Sequence, residues 1–270
     1  MSPDSRWRAP LRKLLIGAGL LEAAFRLRDW WRASTDVGDD ERAASPDGLP
    51  IPPAYLRELV AGTSDLTWFL SSGARAAESI RDVLGRHGVP PERMTSILDF
   101  GCGCGRVIRH WAGLPARVHG ADRNRRLVAW CRRHLPFASF EVNGLRPPLR
   151  SPDDEFQLVY ALSVFTHLPE DLQRPWMEEL CRVTSRGGHI LLSVHGESYR
   201  DTLTPHERRR FDEGLLVVRG SEAAGRNACG AYHPREYIRR VMGTGLTLVD
   251  HVPEGATGNP RQDLVLFRRP

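Results

Sequence analysis

The chain has 270 residues, of which 41% are apolar, so it can bury one sizeable core and is expected to form one main domain. Its 38 basic side chains exceed the 33 acidic ones, giving a formal net charge of +5, but they are spread along the sequence without interleaved aromatic residues. A nucleic-acid-binding surface is therefore not expected. The five cysteines are odd in number and include no CxxC pair, which argues against a disulfide framework and a structural zinc site and favours a reducing cytoplasm.

Residues 1–52 are predicted to form an amphipathic helix followed by a linker. Apolar residues recur at helical spacing over residues 11–25, flanked by basic side chains and tryptophans. Glu22 interrupts this apolar run, which is too short to span a bilayer and lacks a convincing signal-peptide cleavage site. Such a helix lies on a membrane surface or packs against its own domain or a second subunit, and the packed arrangement is favoured because apolar stripes usually face a core.

Residues 53–270 are predicted to form an α/β domain that begins with helices over 53–94. Short apolar runs that alternate with amphipathic segments predict seven strands, at residues 97–100, 117–121, 139–142, 156–162, 189–194, 246–252 and 263–267. Helical stretches between the first five imply a mainly parallel sheet with helices on both faces, and the short connection 253–262 implies an antiparallel C-terminal hairpin. The polar segment 196–232 is expected to lie over the carboxyl edge of the sheet and to determine the substrate.

The segment 97–106 reads Ile-Leu-Asp-Phe-Gly-Cys-Gly-Cys-Gly-Arg and forms the first candidate site. Gly101, Gly103 and Gly105 lie between the first strand and a helix predicted to start near Arg106, where glycine lets the backbone turn sharply and approach a ligand. Asp122, at the end of the second strand, is placed to accept hydrogen bonds from ribose hydroxyls. Both NAD and S-adenosylmethionine fit these features, but the NAD fingerprint GxGxxG lacks its third glycine in either register.

Three stretches in order resemble the class I S-adenosylmethionine-dependent methyltransferases. The glycine-rich segment resembles the first motif of that family, residues 156–169 resemble its fourth strand and following turn, and residues 179–192 resemble the helix, paired-glycine turn and fifth strand that come next. The match covers roughly residues 95–270, and the helices before it resemble those of some bacterial members. The resemblance implies a Rossmann-like fold with S-adenosylmethionine as the cofactor.

The resemblance also implies a set of cofactor-binding residues. The glycine loop would hold the methionyl part of the cofactor, with Asp99 near its amino group, and Asp122 would hold the ribose. Asn143 would lie beside the adenine, where many family members have an acidic residue, although an Asn-Gly dipeptide is also a strong turn former. Tyr160 and Ser163, near the end of the fourth strand, would border the point where cofactor and acceptor meet.

Position selects two of the ten histidines as candidate general bases. His167 follows the fourth strand and His195 ends the fifth, both at the carboxyl edge where the donor methyl is expected. The sequence favours His195, because Glu197 and Tyr199 accompany it at the start of the polar segment, whereas His167 has an alternative role in bracing the turn before Pro169. A hydroxyl acceptor needs a base, while an amine acceptor can be methylated without one.

The expected function is transfer of a methyl group from S-adenosylmethionine to a hydroxyl or an amine of a small molecule or glycan. Two alternatives from other classes stay open: an NAD(P)-type oxidoreductase, and a protein that binds S-adenosylmethionine without catalysis. The missing third glycine and the paired glycines at 187–188 count against the oxidoreductase. Product formation with an acceptor distinguishes an enzyme from a binding protein.

Overall fold

The structure is a computed structural model that describes residues 45–259 and 261–270. The predicted N-terminal amphipathic helix and most of its linker lie outside the described residues. The strands are β1 (Ser96–Phe100), β2 (Arg117–Asp122), β3 (Ala138–Val142), β4 (Phe156–Ala161), β5 (Thr184–Val194), β6 (Val217–Arg219), β7 (Gly230–Tyr232), β8 (Thr247–Val252) and β9 (Asp263–Arg268). The helices are α1 (Ala54–Ala61), α2 (Leu66–Arg86), α3 (Arg125–His134), α4 (Glu170–Val183), α5 (Pro205–Asp212) and α6 (Arg235–Tyr237), the last continued by a π-helical turn over Ile238–Met242.

Seven strands form one sheet in the order β3-β2-β1-β4-β5-β9-β8. Strands β1 to β5 run parallel, while β9 pairs antiparallel with both β5 and β8. This arrangement confirms the predicted mainly parallel sheet with an antiparallel C-terminal hairpin at one edge. The register places Asp263, the first residue of β9, opposite Val194 at the carboxyl end of β5, so the loop before β9 belongs to the ligand-binding edge.

Two hydrophobic cores lie on opposite faces of the sheet. Ile97 packs with residues of α1, α2 and α3, whereas its neighbour Leu98 packs with residues of α4 and α6. Alternate side chains of a strand point to opposite faces, so a strand that is buried on both sides must be apolar throughout. This two-sided burial confirms the predicted helices on both faces.

The glycine loop is not followed by the predicted α-helix near Arg106. The described residues after it form turns and one short 3₁₀-helix, Ile108–Trp111. Gly113, with φ of 88°, and Pro115 follow immediately, so the segment between loop and β2 is too short and too interrupted for a longer helix. The prediction of a helix that starts near Arg106 is therefore wrong.

Strand β5 begins five residues earlier than predicted, because the paired glycines are part of it. Gly187 has φ of 75°, and the pairing with β4 shifts register between Phe156 and Leu158. The chain nevertheless keeps its hydrogen bonds, since Gly187 N donates to Arg269 O and Arg269 N donates to Gly188 O, both at 2.9 Å. The expected turn is a bulge within an extended strand.

The polar segment 196–232 contains structure that the sequence did not predict. Strands β6 and β7 pair antiparallel as a small separate sheet, and His195 at the end of β5 forms a bridge with Tyr232. Helix α5 carries a capping box, in which Thr204 and Glu207 satisfy each other's backbone N–H groups. Strands of three residues are too short to show a period-two pattern.

Candidate functional site

A cavity of about 1090 Å³ opens at the carboxyl ends of β1, β2 and β4. Open α/β sheets bind ligands at this edge, and the volume is slightly above the usual range for small-molecule sites. The predicted residues that line it are Asp99, Gly101, Gly103, Asp122, Asn143, Ser163 and His167. Three further predicted residues, Gly105, Tyr160 and His195, do not contribute to this lining and have other roles.

The glycine loop forms the floor of the cavity by passing close to neighbouring segments. Gly101 has φ of 86°, and a Cβ on it would lie 2.3 Å from Val164 Cγ2. Its N–H donates to Ala121 O at 2.7 Å, which ties the loop to the end of β2. Gly105 also has φ of 86°, but a Cβ there would meet Leu135, so this glycine permits packing against the end of α3 instead of ligand approach.

Asp99, at the end of β1, is a buried carboxyl group that is only 4% exposed. Burial raises its pKa to about 7, although hydrogen bonding to Tyr160 and the charge of Arg106 oppose the rise. The Tyr160 hydroxyl accepts a hydrogen bond from Trp111 Nε1 at 2.8 Å, which leaves its proton for the carboxyl group of Asp99. Tyr160 therefore positions Asp99 through a hydrogen bond and does not itself line the cavity, contrary to the sequence-based expectation.

Arg106, directly after the loop, lines the cavity, although the sequence indicated only a helix start at this position. It is 7% exposed, and burial lowers its pKa to about 10, so the guanidinium group remains charged at neutral pH. Its hydrogen bonds go to uncharged acceptors: Nη2 donates to Asn259 Oδ1 at 2.9 Å, and Nη1 donates to Ser72 Oγ and Gly258 O. A buried cation held by neutral groups retains capacity for an anionic ligand.

Asp122, the last residue of β2, is fixed by the backbone around it. Its carboxylate accepts hydrogen bonds from Gly103 N at 3.0 Å and from Asn124 N at 2.7 Å. Burial raises its pKa, and these two backbone hydrogen bonds and the charge of Arg123 oppose that effect. The side chain thus joins the glycine loop to the turn before α3 while it lines the cavity.

Asn143 follows β3 on the far wall of the cavity. Its N–H donates to Asp122 O, and its side-chain Nδ2 donates to Gly144 O at 2.8 Å, as expected for a turn. Its Oδ1 atom is buried without a hydrogen-bond partner in the described part of the chain. The turn and ligand-binding interpretations are therefore compatible, because Nδ2 makes the hydrogen bond of the turn and Oδ1 stays available to a ligand.

Ser163 follows β4 and has φ of 59°, a left-handed conformation that is uncommon for residues other than glycine. Its N–H donates to Ser193 Oγ at 2.7 Å, and its Oγ accepts from Gln262 Nε2 at 2.9 Å. Ser193 Oγ in turn donates to Gln262 Oε1 at 2.7 Å. This closed network fixes the ends of β4 and β5 against the loop before β9, and two of its members, Ser163 and Gln262, line the cavity.

His167 lies in the cavity wall, in the 3₁₀-turn after β4. Its Nδ1 lies 2.7 Å from Cys229 O, and a carbonyl oxygen only accepts, so Nδ1 carries the proton and Nε2 carries the lone pair. Its backbone oxygen also accepts a hydrogen bond from Gly225 N. Burial lowers the pKa of His167, which keeps the imidazole neutral and able to accept a proton at neutral pH.

His195, the base favoured by the sequence, is not placed at the cavity. Its Nδ1 lies 3.0 Å from Ala231 O, and its ring packs against Tyr199 and Tyr232, with centroid distances of 4.2 and 5.3 Å. Burial and the neighbouring His167 lower its pKa to about 4. The bridge to Tyr232 draws β7 over this histidine, so its position at a strand end gives it a packing role.

Among residues 45–259 and 261–270, no three His, Cys, Asp or Glu side chains form a group that could hold a metal ion. Within the same described ranges, the helices lack the combination of length and apolar character needed to cross a bilayer.

Comparison with known proteins points to one enzyme family. Residues 97–188 match a family model described as a methyltransferase domain. The ubiquinone biosynthesis O-methyltransferase of Methylocella silvestris is 29% identical over 143 residues, which cover 52% of this chain and 49% of that protein. This chain therefore spans about half the length of that curated relative.

Solved methyltransferase structures share the fold. Magnesium protoporphyrin IX methyltransferase from Synechocystis PCC 6803, solved with bound SAH, aligns with a TM-score of 0.55 and 17% identity over 80% of this chain and 93% of its own. An S-adenosylmethionine-dependent methyltransferase from Mesorhizobium loti aligns with a TM-score of 0.52 and 20% identity, covering 71% of this chain and 98% of its own. At such identities the likeness concerns the fold alone.

Proposed function

We propose that the chain is a class I S-adenosylmethionine-dependent methyltransferase that transfers a methyl group from S-adenosylmethionine to a hydroxyl or an amine of a small molecule or glycan. The observation that carries this proposal is one cavity lined by the glycine loop, by Asp99 and Asp122, and by His167. Candidate cofactor-binding residues and a candidate base thus line the same cavity, as a transfer reaction requires.

The chemistry of the cavity residues fits the cofactor. Asp99 and Arg106 provide opposite charges for the ammonium and carboxylate groups of the methionyl part. Asp122 has a carboxylate for the ribose hydroxyls, and the unpartnered Oδ1 of Asn143 would accept a hydrogen bond from the adenine amino group. These assignments account for both ends of the ligand and for an otherwise orphaned buried atom.

The bound cofactor supplies an electrophilic methyl group on a sulfonium, so the protein mainly has to align the acceptor and exclude water. Alignment of this kind can lower a barrier by about 7 to 11 kcal/mol. His167 Nε2 would accept the proton of an acceptor hydroxyl as the oxygen attacks, while Nδ1 stays hydrogen-bonded to Cys229 O. The presence of this base, together with the O-methyltransferase named among the relatives, favours a hydroxyl acceptor over an amine.

Calorimetry of the purified full chain with S-adenosylmethionine, S-adenosylhomocysteine and NAD tests the cofactor first. We expect both sulfur compounds to bind and NAD to bind weakly or not at all, whereas tight NAD binding without a response to either sulfur compound would identify an oxidoreductase. Transfer of labelled methyl to a panel of phenols, sugars and amines then tests catalysis. If the cofactor binds but no member of the panel is methylated, the protein would instead be one that binds S-adenosylmethionine without catalysis.

A further inference from the structure

The cavity has a marked excess of positive charge beyond what the cofactor uses. Its lining among the described residues includes three acids, Glu58, Asp99 and Asp122, and five arginines, Arg106, Arg123, Arg125, Arg126 and Arg226. The proposed cofactor contacts use both aspartates and one arginine. Four arginines and one glutamate are left without an assigned cofactor contact.

The cofactor does not neutralise these remaining arginines. S-adenosylmethionine carries a sulfonium, an ammonium and one carboxylate, so it adds positive charge to the cavity. Its carboxylate is assigned to Arg106, and its adenosine end carries no anionic group that the arginines at the start of α3 could bind. Positive charge lining a cleft attracts ligands of opposite charge into it.

Two segments converge to form this basic wall. The Arg123 guanidinium donates to Ala224 O at 2.9 Å and to Gly225 O at 3.1 Å, which brings Arg226 of the polar segment towards the start of α3. On the α3 side, Arg126 Nη1 is buried without a hydrogen-bond partner among the residues described. Arg126 lines the cavity, and a guanidinium group there with an unpartnered nitrogen has the chemistry to bind a ligand oxygen.

Helix stability does not explain these arginines. Arg125 and Arg126 occupy the first turn of α3, which contains no acidic residue. The partial positive charge of a helix N-terminus favours acidic side chains there and disfavours basic ones. Arg125 and Arg126 are therefore unfavourable for the stability of α3, and both line the cavity.

We infer that the acceptor carries an anionic group, a phosphate or a carboxylate, which Arg126 binds together with Arg123 and Arg125 while the cofactor occupies the same cavity. This inference rests on the proposed function, because the cofactor assignment decides which charges remain. It narrows the acceptor class to small molecules or glycans that bear an anionic group within reach of this cavity wall.

The test titrates inorganic pyrophosphate and malonate separately into the full chain saturated with S-adenosylhomocysteine, at constant ionic strength. At least one anion should bind saturably, and the better of the two identifies a phosphate or a carboxylate site. Arg126→Gln should weaken that binding at least tenfold and leave S-adenosylhomocysteine affinity within twofold. The matched control is Arg133→Gln, an exposed arginine of the same helix outside the cavity lining, which should change anion binding by less than twofold.

Three results would overturn the inference: no saturable binding of either anion, displacement of S-adenosylhomocysteine by the anion, or equal weakening by Arg126→Gln and Arg133→Gln. Failure of the parent protein to bind S-adenosylhomocysteine would instead reject the proposed function. In that case the same titrations on the ligand-free protein still decide whether Arg126 binds anions.

Discussion

The ends of β4 and β5 carry histidines with the same local chemistry and different surroundings. Each Nδ1 lies within hydrogen-bonding distance of a carbonyl oxygen of the polar segment, Cys229 O for His167 and Ala231 O for His195. His167 lines the cavity beside the glycine loop, whereas His195 is packed among tyrosines. A fixed tautomer therefore does not make a histidine a base, because access to the reacting atoms decides its role.

The first prediction compares alanine substitutions at the two histidines. With a hydroxyl acceptor, His167→Ala should lower turnover by roughly 100-fold to 10,000-fold, because it removes the proton acceptor, and it should leave cofactor affinity nearly unchanged. His195→Ala should reduce turnover by only a few fold and act mainly on thermal stability. Turnover at saturating acceptor is the measurement, and the reverse ranking would return the base to His195.

The second prediction concerns Gly101, where the cavity floor passes Val164 at the end of β4. Gly101→Ala should lower the free energy of unfolding by about 2 to 5 kcal/mol, because left-handed strain and overpacking add. Gly113→Ala is the matched control, since its φ of 88° is similar but nothing lies within 4 Å of its Cβ position. It should lose only the strain, about 1 to 2 kcal/mol. Denaturant titrations measure both changes. An equal loss of unfolding free energy in the two variants would show that Val164 moves aside without cost.

The third prediction concerns the turn after β2. Asp122→Ala should weaken cofactor binding by about 1 to 3 kcal/mol, the scale of hydrogen bonds to a charged group. Because Asp122 also accepts from Gly103 N and Asn124 N, thermal unfolding without ligand must be measured beside calorimetry. Unchanged affinity in a folded variant would mean that the ribose lies elsewhere.

The fourth prediction is a pH dependence from Asp99, whose pKa burial raises to about 7. Below this pH the carboxyl group is neutral and cannot attract the cofactor ammonium, so affinity should fall by up to about tenfold per pH unit from pH 7 towards 5. The stability of the ligand-free protein should depend on pH in the opposite direction. The folded state binds the Asp99 proton more tightly than the unfolded chain does, so the free energy of unfolding should fall as the pH rises from about 4 to about 7. Asp99→Asn should flatten both profiles, and profiles that stay steep would assign them to another group.

The regular parts of the fold were predictable because strands buried on both faces are apolar throughout, which is visible in the sequence. The seven strands of the main sheet and its antiparallel edge follow from apolar runs such as 97–100 and from the length of the connection 253–262, whereas the Rossmann-like class came from the family resemblance. The irregular parts were not predictable. A bulge keeps Gly187 inside β5, and strands as short as β6 carry no periodic signal.

The site shows a similar division. Glycines and carboxylates at strand ends were found because chain position alone places them at the carboxyl edge. The preference for His195 over His167 came from chain position, but whether a histidine reaches the cavity depends on where the polar segment folds back, a long-range contact that no local pattern specifies. Arg106 was missed as a cavity residue, although an arginine next to a glycine loop is a visible signal.

Arg106 also joins segments from opposite ends of the described chain. Its guanidinium group donates hydrogen bonds to Ser72 in α2 and to Asn259 in the loop before β9. The three segments also approach closely through their backbones, because Gly73 packs against Arg106 O and Gly258 packs against Ser72 O. Local opening of either segment would break contacts of the glycine loop. A ligand that stabilises the loop should therefore slow amide exchange in α2 and in the β8–β9 loop together, so that distant stretches of sequence behave as one cooperative unit.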